Sequence, residues 1–179
     1  LLLKETDAKV FAFEPASSSF NDLSKIQASF PKRFSPIKKA VSDKNGEAHL
    51  YSPREKAATA SLDARLVLHT SDEVVVVTTL DAFVEEQKLS QIDFIKVDVE
   101  GFEKEVFKGM QKTIQKYQPK FIQFEFNIMQ LKRGYTLLEL TSLIEGYTFY
   151  RLLPRGWVKI DPKGFSSNIF MFCNIIAKR

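Results

Sequence analysis

The stretch DFIKVDVEGFE, residues 93–103, decides how this chain is read. As a strand it offers Phe94, Ile95, Val97 and Val99 to a core. Lys96, Asp98 and Glu100 recur at every second position, so a strand would carry all three on one face. A central parallel strand is covered on both faces and normally reads as continuous apolar sequence. This one departs from that rule toward its C-terminal end, where open α/β sheets bind ligands. A solvated edge strand, or an internal ion pair of Lys96 with Asp98 or Glu100, is the competing structural reading.

The same departure returns at residues 121–127, FIQFEFN, where Gln123, Glu125 and Asn127 alternate with Ile122, Phe124 and Phe126. One helical crossover separates the two segments, so they are expected side by side, with Asp98, Glu100 and Glu125 converging. Like charges brought together out of water are costly unless something offsets them. Lys96 offsets one; a cationic ligand, a metal or a proton would offset the rest. We read both segments as lining a site.

Outward from this pair the chain alternates strands and helices. Strands are expected at 9–13, 34–41, 74–79, 93–99 and 120–127, with a small one at 48–51 after a turn at Asn45-Gly46. Helices are expected at 17–30, where Phe20, Leu23, Ile26 and Phe30 share a face, and over Val106, Phe107, Met110, Ile114 and Tyr117 up to the stop at Pro119. Thr78 or Thr79 caps a short helix, with Asp81 placed to assist a Thr78 cap, and Thr136 with Glu139 makes a capping box. Residues 52–72, rich in Ala, Ser and charge, read as a loop. Strands at 147–153, 157–160 and 169–177 with no intervening helix predict an antiparallel edge. The pattern is an α/β fold, a doubly wound, mostly parallel sheet in a single domain over residues 1–179.

Composition narrows the function classes. The 179 residues carry a net charge of +4, with basic and acidic residues interspersed, which argues against a nucleic-acid footprint. The lone cysteine, Cys173, excludes an internal disulfide and sits in an apolar run, so it reads as a structural thiol in a reducing, cytoplasmic setting. No zinc-ligand spacing occurs and no apolar run approaches the roughly 20 residues of a membrane span. The opening LLLKET reads as the end of a helix that begins upstream, and three leucines are too short for a signal peptide.

Two further positions suit a nucleotide-like cofactor. Glu14 follows a strand directly, where such folds place an acid that accepts ribose hydroxyls. Ser42 and Asp43 follow the next strand, where adenine is often held; a plain turn explains them equally well. The Gly-rich turn that a nucleotide site needs is missing, since no two glycines lie two apart.

The segments VFAFEP (10–15), VVVVTTLDAF (74–83), IDFIKVDVEGFEKEVFKGM (92–110) and PKFIQFEFN (119–127) together resemble the FkbM-type family of S-adenosylmethionine-dependent methyltransferases, over roughly 10–175. The resemblance implies the class I methyltransferase (Rossmann-like) fold with an antiparallel last strand. It also implies that the first strand and Gly-rich loop precede the residues present here. It implies O-methylation of a hydroxyl on a sugar, polyketide or other small molecule, with S-adenosylmethionine as cofactor. Glu14 would hold the ribose, Ser42 and Asp43 would lie near adenine, and Asp98 near the methionine end or the methyl group. Proton removal would fall to Asp98, Glu100 or Glu125, Asp98 first, with Lys96 orienting the acids or lowering their pKa values. Glu103 is expected to favour the following helix dipole rather than catalysis. No resident metal is assigned, although Asp98, Glu100 and Glu125 are the oxygen ligands a hard cation would take. Phe126, Met129, Tyr135 and Trp157 border segments able to wall a substrate pocket, with Lys132 and Arg133 nearby for an anionic group.

Overall fold

The computed structural model describes residues 2–53, 60–66 and 71–179. Positions 54–59 and 67–70 of the expected loop lie outside the described residues. The chain forms two compact units, Leu1–Thr78 and Thr79–Arg179.

The first unit contains α1 (Leu2–Glu5), β1 (Val10–Phe13), α2 (Ser17–Ser29), β2 (Phe34–Ile37), β3 (Ala40–Val41), β4 (Gly46–Ser52) and β5 (Ser71–Thr78). β1 and β2 pair in parallel; β5 pairs in parallel with β3 and antiparallel with β4. Alternation in β5 sets its faces: Val75 and Val77 are buried with Ala16, Ala40 and Leu50, while Val74 and Val76 are exposed. The expected strand over 34–41 is two strands in two sheets. A tight turn in which the Lys39 amide donates to the Ile37 carbonyl at 2.9 Å separates them, and the chain changes partner there.

Helix α2 forms as its spacing predicts, yet none of its residues is fully buried and Ile26 is exposed. Its N-cap residue, Ala16, has no side chain able to cap. Glu73 of β5 supplies the acceptor instead, taking the Ser17 amide at 3.1 Å and also the Ser17 hydroxyl. Lys38 lies 3.7 Å from the same carboxylate.

The second unit contains α3 (Leu80–Glu86), β6 (Phe94–Val97), α4 (Glu103–Lys108), α5 (Gln111–Tyr117), β7 (Phe121–Phe126), α6 (Ile128–Lys132), α7 (Leu137–Thr141), β8 (Thr148–Leu153), β9 (Gly156–Lys159) and β10 (Cys173–Lys178). Its sheet runs β6-β7-β10-β8-β9. β6 and β7 are parallel neighbours, as the single crossover predicts, and every other pairing is antiparallel. The last strand is inserted between β7 and β8, and β9 forms the edge. One sheet face is apolar. Ile122, Phe124, Phe126 and Ile175 are fully buried, and the Phe107 ring meets Phe124 edge-on at 5.2 Å.

Of the apolar residues expected on one long helix, Val106, Phe107, Met110 and Ile114 are buried and Tyr117 is half-buried, but the segment forms two short helices with Met110 between them. Asp81 explains the break. Its amide donates to the Gly109 carbonyl at 3.0 Å, and its carboxylate accepts from Lys112 N, Thr113 N (2.7 Å) and the Thr113 hydroxyl (2.6 Å), capping α5. It therefore does not assist a cap at Thr78, which ends β5; Thr79 caps α3 by accepting the Ala82 amide at 3.0 Å. The Thr136–Glu139 capping box forms as expected.

The architecture is α/β with mixed sheets. Pairing among the described residues is divided among three sheets, where the sequence reading expects one continuous sheet. No helix among the described residues is long and apolar enough to cross a membrane.

Candidate functional site

Strand β6 ends at Val97, earlier than alternation alone suggests. Lys96 is on the strand, Asp98 lies one residue beyond it, and Glu100 sits in a turn with φ 51°, followed by Gly101 at φ 96°. A non-glycine residue in this left-handed region is strained, typically by ~1–3 kcal/mol, and persists only where its surroundings fix it. The fixing group is Glu103. Its Oε1 accepts the Val99 and Gly101 amides at 3.3 and 3.4 Å, and the Tyr135 hydroxyl donates to the Gly101 carbonyl at 2.9 Å.

The bend delivers the convergence that the two polar rows predict. Asp98, Glu100 and Glu125 each place a carboxylate oxygen within 4.8 Å of the others. Lys96 is opposite Gln123 in the parallel ladder, so the two rows share a face. The Lys96 ammonium lies 2.7 Å from Asp98 Oδ2. The internal ion pair and the acid cluster thus coexist.

Glu125 is the buried member, at 5% exposure, whereas Asp98 is exposed. Burial, then the charges of Asp98, Glu100 and Glu103, push the Glu125 carboxyl up to about 7, with Lys96 opposing. Burial likewise raises Glu100, assisted by Asp98 and Glu103. Asn127 Nδ2 donates to Glu125 Oε2 at 2.8 Å.

A chain of amides secures this arrangement from behind. Asn127 caps α6, its Oδ1 accepting the Met129 amide at 2.6 Å, while its own amide donates to Gln130 Oε1 at 2.6 Å. Gln130 Nε2 then donates to Glu103 Oε2 at 2.7 Å, and the Tyr135 hydroxyl oxygen lies 3.2 Å from the same atom. Glu103 and Gln130 are fully buried. Glu103 does begin α4, but it also ties the Glu100 turn to β7. Its reach was not visible in the sequence; the Asn127-x-x-Gln130 spacing of a capping box was the available signal.

Other candidates separate. Phe126 is fully buried in the core and Tyr135 is buried within this network. Trp157 is half exposed on β9, its ring 5.4 Å from that of Tyr150. Arg133 is ion-paired with Glu105 at 2.6 Å and stacked 4.0 Å from the Phe102 ring, while Lys132 is exposed. The Cys173 thiol contacts the Phe126 carbonyl at 3.4 Å, and burial raises its pKa, as suits a structural thiol.

In the first unit Glu14 follows β1, half-buried, with Oε1 accepting the Ala16 amide at 2.8 Å. Burial raises its pKa, the Ala16 amide opposes, and the nearby Glu73 charge adds to the rise. Ser42 is buried and its hydroxyl lies 3.3 Å from the exposed Asp43 carboxylate.

The model of the Methyltransferase FkbM domain matches residues 4–149. The chain belongs to the FkbM methyltransferase family. Among curated proteins it is similar to "Hexuronic acid methyltransferase AglP" of Haloferax volcanii, with 27% identity over 139 residues, covering 78% of this chain and 54% of that protein. The chain thus spans about half the length of this curated relative. Among solved structures, the methyltransferase FkbM of Methylobacillus flagellatus matches with a TM-score of 0.57 and 13% identity. That match covers 95% of this chain and 36% of the other, and the likeness shows the fold.

Proposed function

We propose that residues 1–179 are one S-adenosylmethionine-dependent O-methyltransferase domain of class I architecture, acting on a hydroxyl of a sugar or another small molecule. The observation that carries this is the Asp98–Glu100–Glu125 cluster, beyond the C-terminal end of β6 and on β7, in a chain of a methyltransferase family. The hexuronic acid in the name of the Haloferax relative favours a glycan among the acceptors.

Residues of each unit, taken separately, support the cofactor reading. Glu14 offers a half-buried carboxylate at a strand end, with Oε2 free of hydrogen bonds from the described residues, as ribose hydroxyls require. In this reading Ser42 and Asp43 lie toward adenine. Bound S-adenosylmethionine supplies an electrophilic methyl group on a sulfonium. The acid cluster would suit that positive charge, and Asp98 would serve the methionine end.

Proton removal falls to Glu125. A carboxyl with a pKa of about 7 is matched to a general base near neutral pH, whereas Asp98 is engaged by Lys96. Asn127 orients the Glu125 carboxylate, and Lys96 tempers the negative charge around it. Holding the acceptor oxygen in line is the other contribution expected of the site. A single half-buried cysteine supports a cytoplasmic setting.

The test is incubation with methyl-tritiated S-adenosylmethionine and a panel of glycosides. Transfer to a sugar is expected, reduced about 100-fold in Glu125→Gln. No transfer to any glycoside, or full transfer by Glu125→Gln, would count against the reading.

A further inference from the structure

The acid cluster has a neutral neighbour on its own sheet face. Asn174 of β10 is the direct ladder partner of Glu125, and Gln123 precedes Glu125 by two residues on β7. Alternation turns all three side chains to one side of the sheet, with directly opposed Cβ atoms about 5 Å apart. Gln123 Nε2 donates to Asn174 Oδ1 at 2.9 Å, a diagonal bond across the two strands. Both carboxamides are half-buried.

That bond fixes the Asn174 amide with its oxygen toward Gln123 and its nitrogen turned away. Asn174 Nδ2 has no hydrogen-bond partner among the described residues, and it is not sealed from solvent. Glu125 shows the same division. Its Oε2 takes Asn127 Nδ2 at 2.8 Å, while Oε1 has no partner among the described residues and is also open. An open donor and an open carboxylate oxygen therefore stand on directly opposed residues of one face. Two hydroxyls on adjacent ring carbons, as in a sugar, satisfy both at once: one donates to the carboxylate and its neighbour accepts from the amide.

We propose that Asn174 selects the acceptor: its Nδ2 donates to the hydroxyl next to the one that meets Glu125 Oε1, with Gln123 holding the carboxamide in place. The acceptor is then a 1,2-diol of a sugar ring, and an isolated hydroxyl is a poor ligand. An amide nitrogen left without its hydroxyl in a half-buried site is what penalises the wrong acceptor. The sugar ring rests on the methyltransferase reading; the demand for a second hydroxyl rests on Asn174.

The experiment is an NMR titration of the protein, without methyl donor, with methyl glucoside, methyl galactoside and methyl mannoside, followed through the side-chain amide signals of Asn174 and Gln123. At least one glycoside is expected to shift both signals. The monodeoxy forms of the tightest binder are then compared with it. Loss of the hydroxyl held by Asn174 is expected to weaken binding about tenfold. Asn174→Leu abolishes that difference at this one ring position and keeps the penalty for the form lacking the hydroxyl at Glu125. Gln123→Met, which lets the Asn174 amide turn, narrows the difference to about threefold. No shift of the Asn174 signal with any glycoside, deoxy forms that all bind like the parent, or a difference retained in Asn174→Leu overturns the proposal. A separate titration with S-adenosylmethionine keeps the two failures apart. Cofactor binding without sugar discrimination sinks the role of Asn174 alone, whereas no cofactor binding sinks the methyltransferase reading.

Discussion

Glu103 and Gln130 are joined in the buried interior of the second unit, with Gln130 Nε2 donating to Glu103 Oε2 at 2.7 Å. Glu103 restrains the turn that carries Glu100, and Gln130 is bound to the Asn127 amide. Glu103 and Gln130 therefore link the turn of Glu100 to β7, where Gln130 Nε2 also reaches the Glu125 carbonyl at 3.5 Å.

Gln130→Ala should destabilise the protein by about 2–3 kcal/mol, because it leaves a buried carboxylate short of a donor. Urea unfolding measures this. A loss below about 0.5 kcal/mol would mean that the amide chain does not hold the site.

Glu125 gives stability a pH dependence. Its folded pKa of about 7 is above the ordinary 4.5, so the folded protein holds this proton more tightly than the unfolded chain. That contribution is fully present below 4.5 and is lost as pH rises through 7, on the order of 3 kcal/mol in all. Glu125→Gln should flatten the profile in this window and be the more stable protein at pH 8. Parallel curves for the two proteins would contradict the assignment.

Asp81→Ala should cost about 1–2 kcal/mol by uncapping α5, measured by thermal or urea unfolding. Asp81→Asn should recover part of the loss, since its carbonyl can still accept the Thr113 amide.

Glu73→Ala should cost about 1 kcal/mol, because Ala16 cannot replace the acceptor that Glu73 gives to Ser17. Hydrogen exchange of the first-turn amides of α2 should rise with it. Unchanged protection there would contradict the cap.

Removal of divalent cations tests the acid cluster as a proton-handling site. Dialysis against a chelator should leave methyl transfer within about twofold. Loss of activity restored by magnesium would make Asp98, Glu100 and Glu125 metal ligands instead.

Much of this was legible from periodicity. The alternation of Gln123, Glu125 and Asn127 with three apolar residues fixed which face of β7 is polar, and the crossover placed β6 beside it. Caps written locally, such as Thr136 with Glu139, were equally readable. What alternation could not reveal was contact between distant segments. Glu73 capping α2 spans 56 residues, and Asp81 capping α5 spans more than 30. The left-handed turn at Glu100 was hidden for the same reason: its partners, Gln130 and Tyr135, come from beyond the next strand.

Calorimetric titration of S-adenosylmethionine into the wild-type protein and Glu14→Gln tests the central claim most directly. The account predicts binding at one site, weakened at least about tenfold by Glu14→Gln. No heat of binding from folded protein, or equal affinity for the two, would contradict it.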